Sequence, residues 1–391
     1  MRFTRLRRFG KDESGFSLVF VGLGGLALMA ASILAIDVGM VMSARSQAQN
    51  AADAGAMAGA IALAYDNWDD RTPTGPAVVR AKATAKANLI QEGVPTVNDE
   101  DVTFPNDPAG QPNRVQVVVH KTVNTLIAQY FGIKTADINA VATEEASPAN
   151  AMTCVKPFTI PDRWVEKNPL VTPWTTAADF SRYDKKGNLL SPADVYEPAY
   201  LPPDNKVRNP DYSGYNAEKN RGEILVLRSN NTNKIQSSFY FSLAMTDDTG
   251  GNDYSWNIAN CNHTIYHWRD PLIQEPGAKE GPTIQGIEEL IARDPNAKWD
   301  VPNKKVVDSA YGERQSPRVF PIPLYDPDYY DEGHQTGRVA TLRMANWIGF
   351  FVEYVGSGSE IHGRIIPIGG IRDKTMTAGT ADMPKSIRLV K

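Results

Sequence analysis

The sequence predicts an α+β protein with a long N-terminal transmembrane helix that extends outside the membrane, a small α+β module and a larger β-rich C-terminal domain. Residues 16–36 carry no charge, and residues 44–65 are rich in alanine and contain no proline. Most of the 27 prolines and 30 glycines lie beyond residue 65. The first two features are typical of a continuous helix, and the third is typical of loop-rich β structure.

The apolar run 16–36 is the predicted membrane anchor. At about 1.5 Å per residue it spans roughly 30 Å, the thickness of the bilayer's hydrocarbon core. Cleavable signal peptides have a shorter apolar core, of about 7–15 residues. The tip 1–15 carries a cluster of basic residues, and Asp37 ends the run. Because basic residues stay inside, we expect a single-pass membrane protein with a cytoplasmic N-terminus and with the bulk of the chain outside the cytoplasm. A buried core helix is the competing interpretation.

The anchor also contains a sequence similar to a type IV prepilin peptidase site, Glu13-Ser14-Gly15-Phe16-Ser17-Leu18. In that family a Glu normally stands five residues after the cut, and Phe20 takes its place here. The sequence therefore leaves two outcomes open, a retained anchor and a chain cleaved after Gly15.

Small residues recur every four positions along the predicted helix. In lipid, small residues let helix backbones approach closely. The pattern predicts packing against another helix of the same or another protein, including self-association through the transmembrane helix. The alternative is coincidental spacing in an alanine-rich span. The predicted packing residues are Ala27, Ala31, Ala35 and Gly39, followed by Ala48 and Ala52 in the extension 37–65. Asp53, in the same extension, is expected to be solvated.

Residues 66–150 form the predicted small module. A helix begins after Gly75-Pro76 and ends at Gly93, and strand patterns follow over 113–123 and 136–146. Between the strands, 124–132 is predicted as a short helix. Nothing in this module indicates chemistry.

Residues 151–391 form the predicted β-rich domain. Its clearest helix covers 281–295, with Thr283 as the expected N-cap. The acidic run from Asp326 to Glu332 is expected to be a solvated loop. The predicted strands are 223–228, 238–243, 318–324, 346–355 and 361–368.

Cys154 and Cys261 are the two cysteines of the chain. In an exported domain the simplest interpretation is one disulfide between them, since oxidising compartments favour disulfides. Two free buried thiols are the alternative.

The sequence predicts no enzyme, no metal site and no cofactor. Cys261, His263 and His267 do not have standard zinc-site spacing, and the acidic run lacks the calcium-loop spacing. The chain contains no G-x-S-x-G, P-loop or H-E-x-x-H motif. Its net charge of -4 gives no nucleic-acid footprint.

The order of motifs in the N-terminal segment resembles TadG-like Flp/Tad pilus-assembly proteins. The matching pieces are "ESGFSL", the uncharged span, "AIDVG" and "ARSQAQNAADAGAMAGA", which together cover roughly residues 12–64. The region "EPGAKEGPTIQGIEELIARDPNAKWD" resembles the C-terminal part of some TadG-related proteins. Other TadG relatives carry a von Willebrand A-type domain with a D-x-S-x-S metal motif. This sequence lacks that run, so its adhesion chemistry is not carried over.

The resemblance implies a membrane-anchored component of Flp/Tad pilus assembly or anchoring, which acts by helix packing and by docking to other pilus proteins. The implied partners are other Tad pilus-assembly proteins or minor pilins, and membrane lipid. The alternative is a membrane-tethered module that binds sugar or a cell surface. That alternative requires exposed aromatic residues that together form a binding surface. Each of these residues could instead be part of the hydrophobic core. Those residues are Trp164, Trp174, Trp256, Trp268, Tyr329 and Tyr330. A membrane-tethered hydrolase is a third possible class of function, and the sequence contains no catalytic motif for it.

Overall fold

The structure is a computed structural model. It describes residues 14–390 except 109, 168–177, 185, 202–206, 231, 233, 246–250, 276, 278, 313–314, 336–341, 377–378 and 380–381. The basic tip through residue 13 and Trp174 thus lie outside the described residues. The chain divides into two compact units. The first holds residues up to 60, 71–144 and the last three residues, and the second holds 61–70 and 145–388.

The long N-terminal helix is confirmed. Helix α1 runs from Ser14 to Tyr65 without a break. Helix α2 (Pro76–Ala87) begins with proline at its first position, where the missing N–H costs no hydrogen bond. The predicted extension of α2 to Gly93 is wrong, because Gln91 and Glu92 adopt φ angles of 46° and 63°. A helix cannot accommodate these left-handed conformations.

Strands β2 (Arg114–Asn124) and β3 (Thr135–Pro148) follow the predicted strand patterns, and the short strand β1 (Val102–Thr103) was not predicted. The three strands lie side by side in the order β1, β2 and β3, and β1 runs antiparallel to β2. Hydrogen bonds join Gln116 to Thr143 and Thr122 to Asp137. From Gln116 to Thr122 the residue number on β2 rises by six, while that of the partner on β3 falls by six. Strands β2 and β3 are therefore antiparallel.

The helices cover one face of this sheet. On β2, Val115, Val117 and Val119 are fully buried and alternate with half-buried residues. Gly59 of α1 packs closely against both β2 and α2, since an added Cβ would lie 2.8 Å from Val115 Cγ1 of β2 and 3.1 Å from Ala81 Cβ of α2. The core-facing row of α1 is fully buried: Ala44, Ala48, Ala52, Ala56 and Ala60.

The predicted short helix over 124–132 is confirmed only in its last turn, which ends at Gly132 as predicted. Asn124 is the last residue of β2, and a single 3₁₀ turn (Ala128–Phe131) follows before Gly132 at φ 90°. Thr125 does not cap a helix. Its hydroxyl group donates to the backbone carbonyl of Lys134, directly before β3, at 3.2 Å. Residues 125–134, called the β2–β3 loop below, thus have a tertiary conformation that local propensity does not predict.

The second unit is β-rich, as predicted. Its helices are α3 (Gly251–Ala259), α4 (Glu280–Arg293) and α5 (Pro327–Gln335). Its strands are β4 (Ala151–Met152), β5 (Phe158–Pro161), β6 (Tyr200–Leu201), β7 (Val207–Arg208), β8 (Ile224–Ser229), β9 (Phe239–Ser242), β10 (Tyr266–His267), β11 (Pro271–Leu272), β12 (Lys298–Asp300), β13 (Lys305–Val307), β14 (Val319–Tyr325), β15 (Leu342–Val355), β16 (Ile361–Ile366) and β17 (Lys385–Val390).

A barrel is the centre of the second unit. Within the described residues six strands pair in the order β5, β9, β8, β16, β15 and β14, and β14 pairs back with β5 to close the ring. The β14–β5 and β8–β9 pairs are parallel, and the other four are antiparallel. Phe158, Ile322 and Phe350 are fully buried in one core cluster. Gly363 lets the strands approach, since an added Cβ would lie 2.3 Å from Phe351 O.

Two local expectations in this unit are wrong. Thr283 does not cap α4: it lies inside the first turn, fully buried, and its Oγ1 donates back to Lys279 O at 2.7 Å. The acidic run is a helix, α5, rather than a loop. Asp326 accepts from the backbone N–H of Tyr329 at 2.9 Å, so it is the N-cap, and Pro327 occupies the first helical position.

Candidate functional site

The first half of α1 presents an apolar surface. Leu18, Val21 and Leu28 are 73–77% exposed. Keeping such a side chain in water costs roughly 1.5–3 kcal/mol compared with burial. Among the described residues α1 is the one helix that has the length and apolar composition to cross a membrane, and its apolar window is not buried within the chain. A surface of this kind needs lipid or another protein to cover it.

The predicted packing residues fall into two groups. Ala27, Ala31 and Ala35 are exposed on the apolar span, and an added Cβ at Gly39 would have no atom within 4 Å. Ala48 and Ala52 are fully buried inside the first unit itself. Those two alanines are therefore unavailable to another protein, because the chain's own sheet and α2 already occupy that face. The exposed residues are the ones that a second helix can reach.

Asp37 forms a cap that the sequence interpretation did not include. Its side chain is 7% exposed, and both carboxylate oxygens accept backbone hydrogen bonds from the β2–β3 loop. The distances are 2.7 Å from Leu126 N, 3.2 Å from Ile127 N and 2.6 Å from Ala128 N. These are the donor groups that the start of a helical turn leaves unpaired. The sequence contained one signal for this cap, namely a charged residue directly after the apolar span.

An apolar groove lies between α1 and the β2–β3 loop, with a volume of about 520 Å³. Ala30, Val41 and Met42 of α1 line one wall, and Ile133 and Ala136 line the other. Ala30 belongs to the apolar span, whereas Met42 lies beyond it. The groove therefore crosses the end of the predicted membrane-spanning segment.

A buried carboxyl group lies on β3. Glu144 is 2% exposed, and burial, assisted by the negative charge of Asp53, raises the pKa of Glu144 to about 7. Asp53 is half-buried and accepts a hydrogen bond of 2.8 Å from Gln49. Asp53 thus remains partly exposed, and its negative charge acts on Glu144.

Cys154 and Cys261 are joined by a disulfide, with their Cα atoms 4.3 Å apart. Cys261 is therefore not available as a zinc-binding thiolate, although His263 Nδ1 lies 3.7 Å from its sulfur. His267 faces Asp373 instead, at 3.3 Å. In the part of the chain that the structure describes, no group of three or more His, Cys, Asp or Glu side chains is arranged to hold a metal ion.

A cleft of about 370 Å³ lies in the second unit. The Trp268 and Tyr200 rings pack with centroids 4.7 Å apart, and the Arg343 guanidinium lies 4.1 Å from the centre of the Tyr329 ring. Arg269 also lines the cleft. Trp268 and Tyr329 thus line the same cleft, as the alternative of a sugar-binding or cell-surface-binding module requires. Trp164 and Tyr330 are each 2% exposed and belong to the core, and Trp256 is exposed on α3.

The cleft rests on a buried polar network at the end of β5. Asp162 is fully buried and accepts hydrogen bonds from Tyr196 at 3.0 Å and Tyr212 at 2.6 Å. Burial raises the pKa of Asp162 to about 6, although these and two backbone hydrogen bonds act in the opposite direction. Asn346 of β15 donates to Tyr212 at 3.0 Å. The network fixes Tyr196, which lines the cleft.

The comparisons with known proteins bear on α1. Residues 15–62 match the family described as "Tad: Putative Flp pilus-assembly TadE/G-like". No curated protein and no solved structure gives a significant match. The matched segment contains the apolar span, Asp37 and the buried alanine row, which are the features described above. The likeness to TadE/G-like Flp pilus-assembly proteins therefore covers residues 15–62 of this chain.

Proposed function

We propose that the chain is a single-pass inner-membrane component of Flp/Tad pilus assembly, with residues 16–36 in the bilayer, a cytoplasmic N-terminus and a periplasmic bulk. The observation that carries this proposal is the coincidence of the family match, 15–62, with an apolar helix surface that the chain itself leaves uncovered. The basic tip supports the orientation. The disulfide supports a periplasmic location, since the cytosol keeps most thiols reduced.

The proposed mechanism is non-covalent and non-enzymatic. Ala27, Ala31, Ala35 and Gly39 form the exposed small-residue face, on which the transmembrane helix of a pilus-assembly protein, a minor pilin or a second copy packs. The rigid connection of α1 to the β2–β3 loop through Asp37 holds the folded part of the first unit at the end of the span. The second unit serves as the periplasmic docking domain.

Topology is tested with two reporters fused after Lys391. Alkaline phosphatase, which needs disulfides, is expected to be active, and green fluorescent protein exported through the general secretion route is expected to be dark. The opposite pattern would place the bulk of the chain in the cytosol. Extraction with alkaline carbonate is expected to leave the protein in the membrane pellet.

The packing face is tested with Ala31→Leu and Gly39→Leu. Gly22→Leu is the matched control, because nine residues at about 100° each place Gly22 on the opposite side of the helix from Ala31. We expect the first two variants to be inserted in the membrane and to reduce pilus number, while the control leaves it unchanged. Equal pilus numbers in all three strains would reject the packing face.

A second function is favoured by the cleft of the second unit: binding of a cell-surface sugar. Aromatic faces supply the stacking surfaces that sugar rings use, and Arg269 and Asp328 supply donors and acceptors at the rim. Trp268→Ala is expected to abolish retention on purified peptidoglycan sacculi, and Trp256→Ala, on an exposed helix outside the cleft, is the control. Equal retention of the two variants would reject sugar binding at this cleft.

A further inference from the structure

The β2–β3 loop exposes apolar side chains at the end of the predicted membrane span. Leu126 is 52% exposed, Ile133 is 60% exposed and Tyr130 is 82% exposed. Three such side chains within a ten-residue loop mark a surface that is covered in the working protein.

Asp37 fixes where this surface lies. It is the first charged residue after the apolar span, and it binds the backbone of Leu126, Ile127 and Ala128 directly. The loop therefore lies beside the last turn of the span, whatever the tilt of α1. In a bilayer this level is the interfacial layer, where tyrosine is enriched.

The groove and the nearby charges indicate what covers the loop. The groove runs from Ala30, within the span, to Arg45, eight residues beyond Asp37. Helical side chains lean towards the N-terminus, so Arg45 leans towards the span. Lys134 is also exposed beside Ile133. The apolar walls of the groove match an acyl chain, and the long basic side chains at its end match the phosphate group of the same lipid. Lysine and arginine bury their apolar stems and place their charged ends at the depth of the lipid phosphates.

We propose that the β2–β3 loop inserts Leu126, Tyr130 and Ile133 into the periplasmic interface of the bilayer that α1 crosses, and that the groove holds one acyl chain of a phospholipid whose phosphate meets Arg45. This inference rests on the proposed anchoring and deepens it. The first unit then has two membrane contacts, a span and a loop, and Asp37 couples them. Two contacts restrict how the folded part can swing relative to the bilayer.

The loop contact is tested with the full chain in nanodiscs of phosphatidylcholine and phosphatidylglycerol, without any other protein. Single cysteines introduced as Tyr130→Cys, Leu26→Cys and Val79→Cys carry a fluorophore, and the native cysteines are protected as a disulfide. Val79 is 50% exposed on α2, which packs at Gly55 and Gly59. Gly55 lies about 27 Å beyond Asp37 along α1. A lipid spin label near the glycerol backbone is the quencher.

The expected result is strong quenching by the lipid spin label at Tyr130→Cys and none at Val79→Cys. Lipid is expected to shield Leu26→Cys from aqueous iodide, whereas Val79→Cys is expected to be open to iodide. If Leu26→Cys is protected but Tyr130→Cys is as open to aqueous iodide as Val79→Cys, the loop proposal is overturned and the anchor stands. If Leu26→Cys is also open to iodide, the anchor itself fails. Quenching at Tyr130→Cys that disappears when a purified pilus protein is added would assign the loop to that protein and also overturn the proposal.

The groove is tested by native mass spectrometry of the full chain released from the same nanodiscs. We expect one tightly retained phospholipid, with about tenfold less of that species in Arg45→Gln than in the control Lys86→Gln on α2. Equal retention in the two variants would overturn the phosphate contact.

Discussion

The Oδ2 atom of Asp37 lies 2.6 Å from the backbone nitrogen of Ala128, a residue 91 positions farther along the chain. This hydrogen bond and those to Leu126 and Ile127 link the apolar helix to the small folded module. The link is formed by a short side chain and by backbone groups, so it has little freedom to bend. It explains why a charged residue stands directly at the end of an apolar span.

Removal of this cap is expected to loosen the β2–β3 loop. In Asp37→Ala the backbone N–H groups of residues 126–128 lose their acceptor, and their amide hydrogen exchange is expected to rise by about tenfold or more. Asp37→Asn keeps one acceptor oxygen and is expected to show a smaller rise. Asp137→Ala is the control, since it loses the hydrogen bond from Thr122 in the same unit without touching the loop. Unchanged exchange at 126–128 in Asp37→Ala would contradict the cap.

Two glycines of α1 are expected to respond oppositely to the same substitution. Gly59→Ala places a Cβ against Val115 and Ala81, and such overpacking typically costs about 1–3 kcal/mol. Gly39→Ala meets no atom within 4 Å, and alanine is the better helix former by about 1 kcal/mol. The measurement is the urea midpoint of the detergent-solubilised protein. A higher midpoint for Gly59→Ala than for Gly39→Ala would contradict the observed packing of α1 on the sheet.

Glu144 makes stability depend on pH. Its pKa in the folded protein is about 7, above the ordinary value of 4.5, so the folded state holds the proton more tightly. This contribution to stability is complete below pH 4.5, falls as the pH rises and is lost above about 7. Glu144→Gln is expected to flatten the pH dependence of the urea midpoint in that window. Glu100→Gln, at an exposed site, is the control, and the same slope in both variants would contradict the assignment.

The disulfide between Cys154 and Cys261 closes a loop with a sequence separation of 107. In the chain-entropy model such a crosslink is worth about 4–5 kcal/mol. Reduction, Cys154→Ser and Cys261→Ser are therefore expected to lower the urea midpoint equally, because each removes the same bond. Protein isolated from its compartment under thiol-blocking conditions is expected to contain no alkylated cysteine. Two alkylated thiols with an unchanged midpoint would contradict the bond in the cell.

The sequence predicted the elements that depend on local patterns. The apolar run and the alanine row determine α1, and alternation determines β2 and β3. The start of α2 followed from Gly75-Pro76, but its end did not, because the turn at Ile90–Gly93 depends on Gln91 donating to Gln47 of α1. Asp326-Pro327 was a readable N-cap and first-turn signal for α5, and the acidic composition obscured it.

Long-range features were beyond the sequence. The barrel closes through pairs such as Leu324 with Ile160 and Ile361 with Leu227, which are far apart in the chain. Likewise, the role of Asp37 depends on a loop some ninety residues away. Of the predicted packing residues, Ala48 and Ala52 have the same spacing as Ala31 and Ala35, and only the tertiary structure separates buried alanines from exposed ones.

We infer that this chain is needed to assemble the pilus from its place in the membrane. The most direct measurement is electron microscopy of pili on a deletion strain, complemented either with the wild-type gene or with Gly39→Leu, with surface adhesion recorded on the same cells. We expect few or no pili in the deletion strain, restoration by the wild type and poor restoration by Gly39→Leu despite normal protein levels. Normal pili in the deletion strain would contradict this inference.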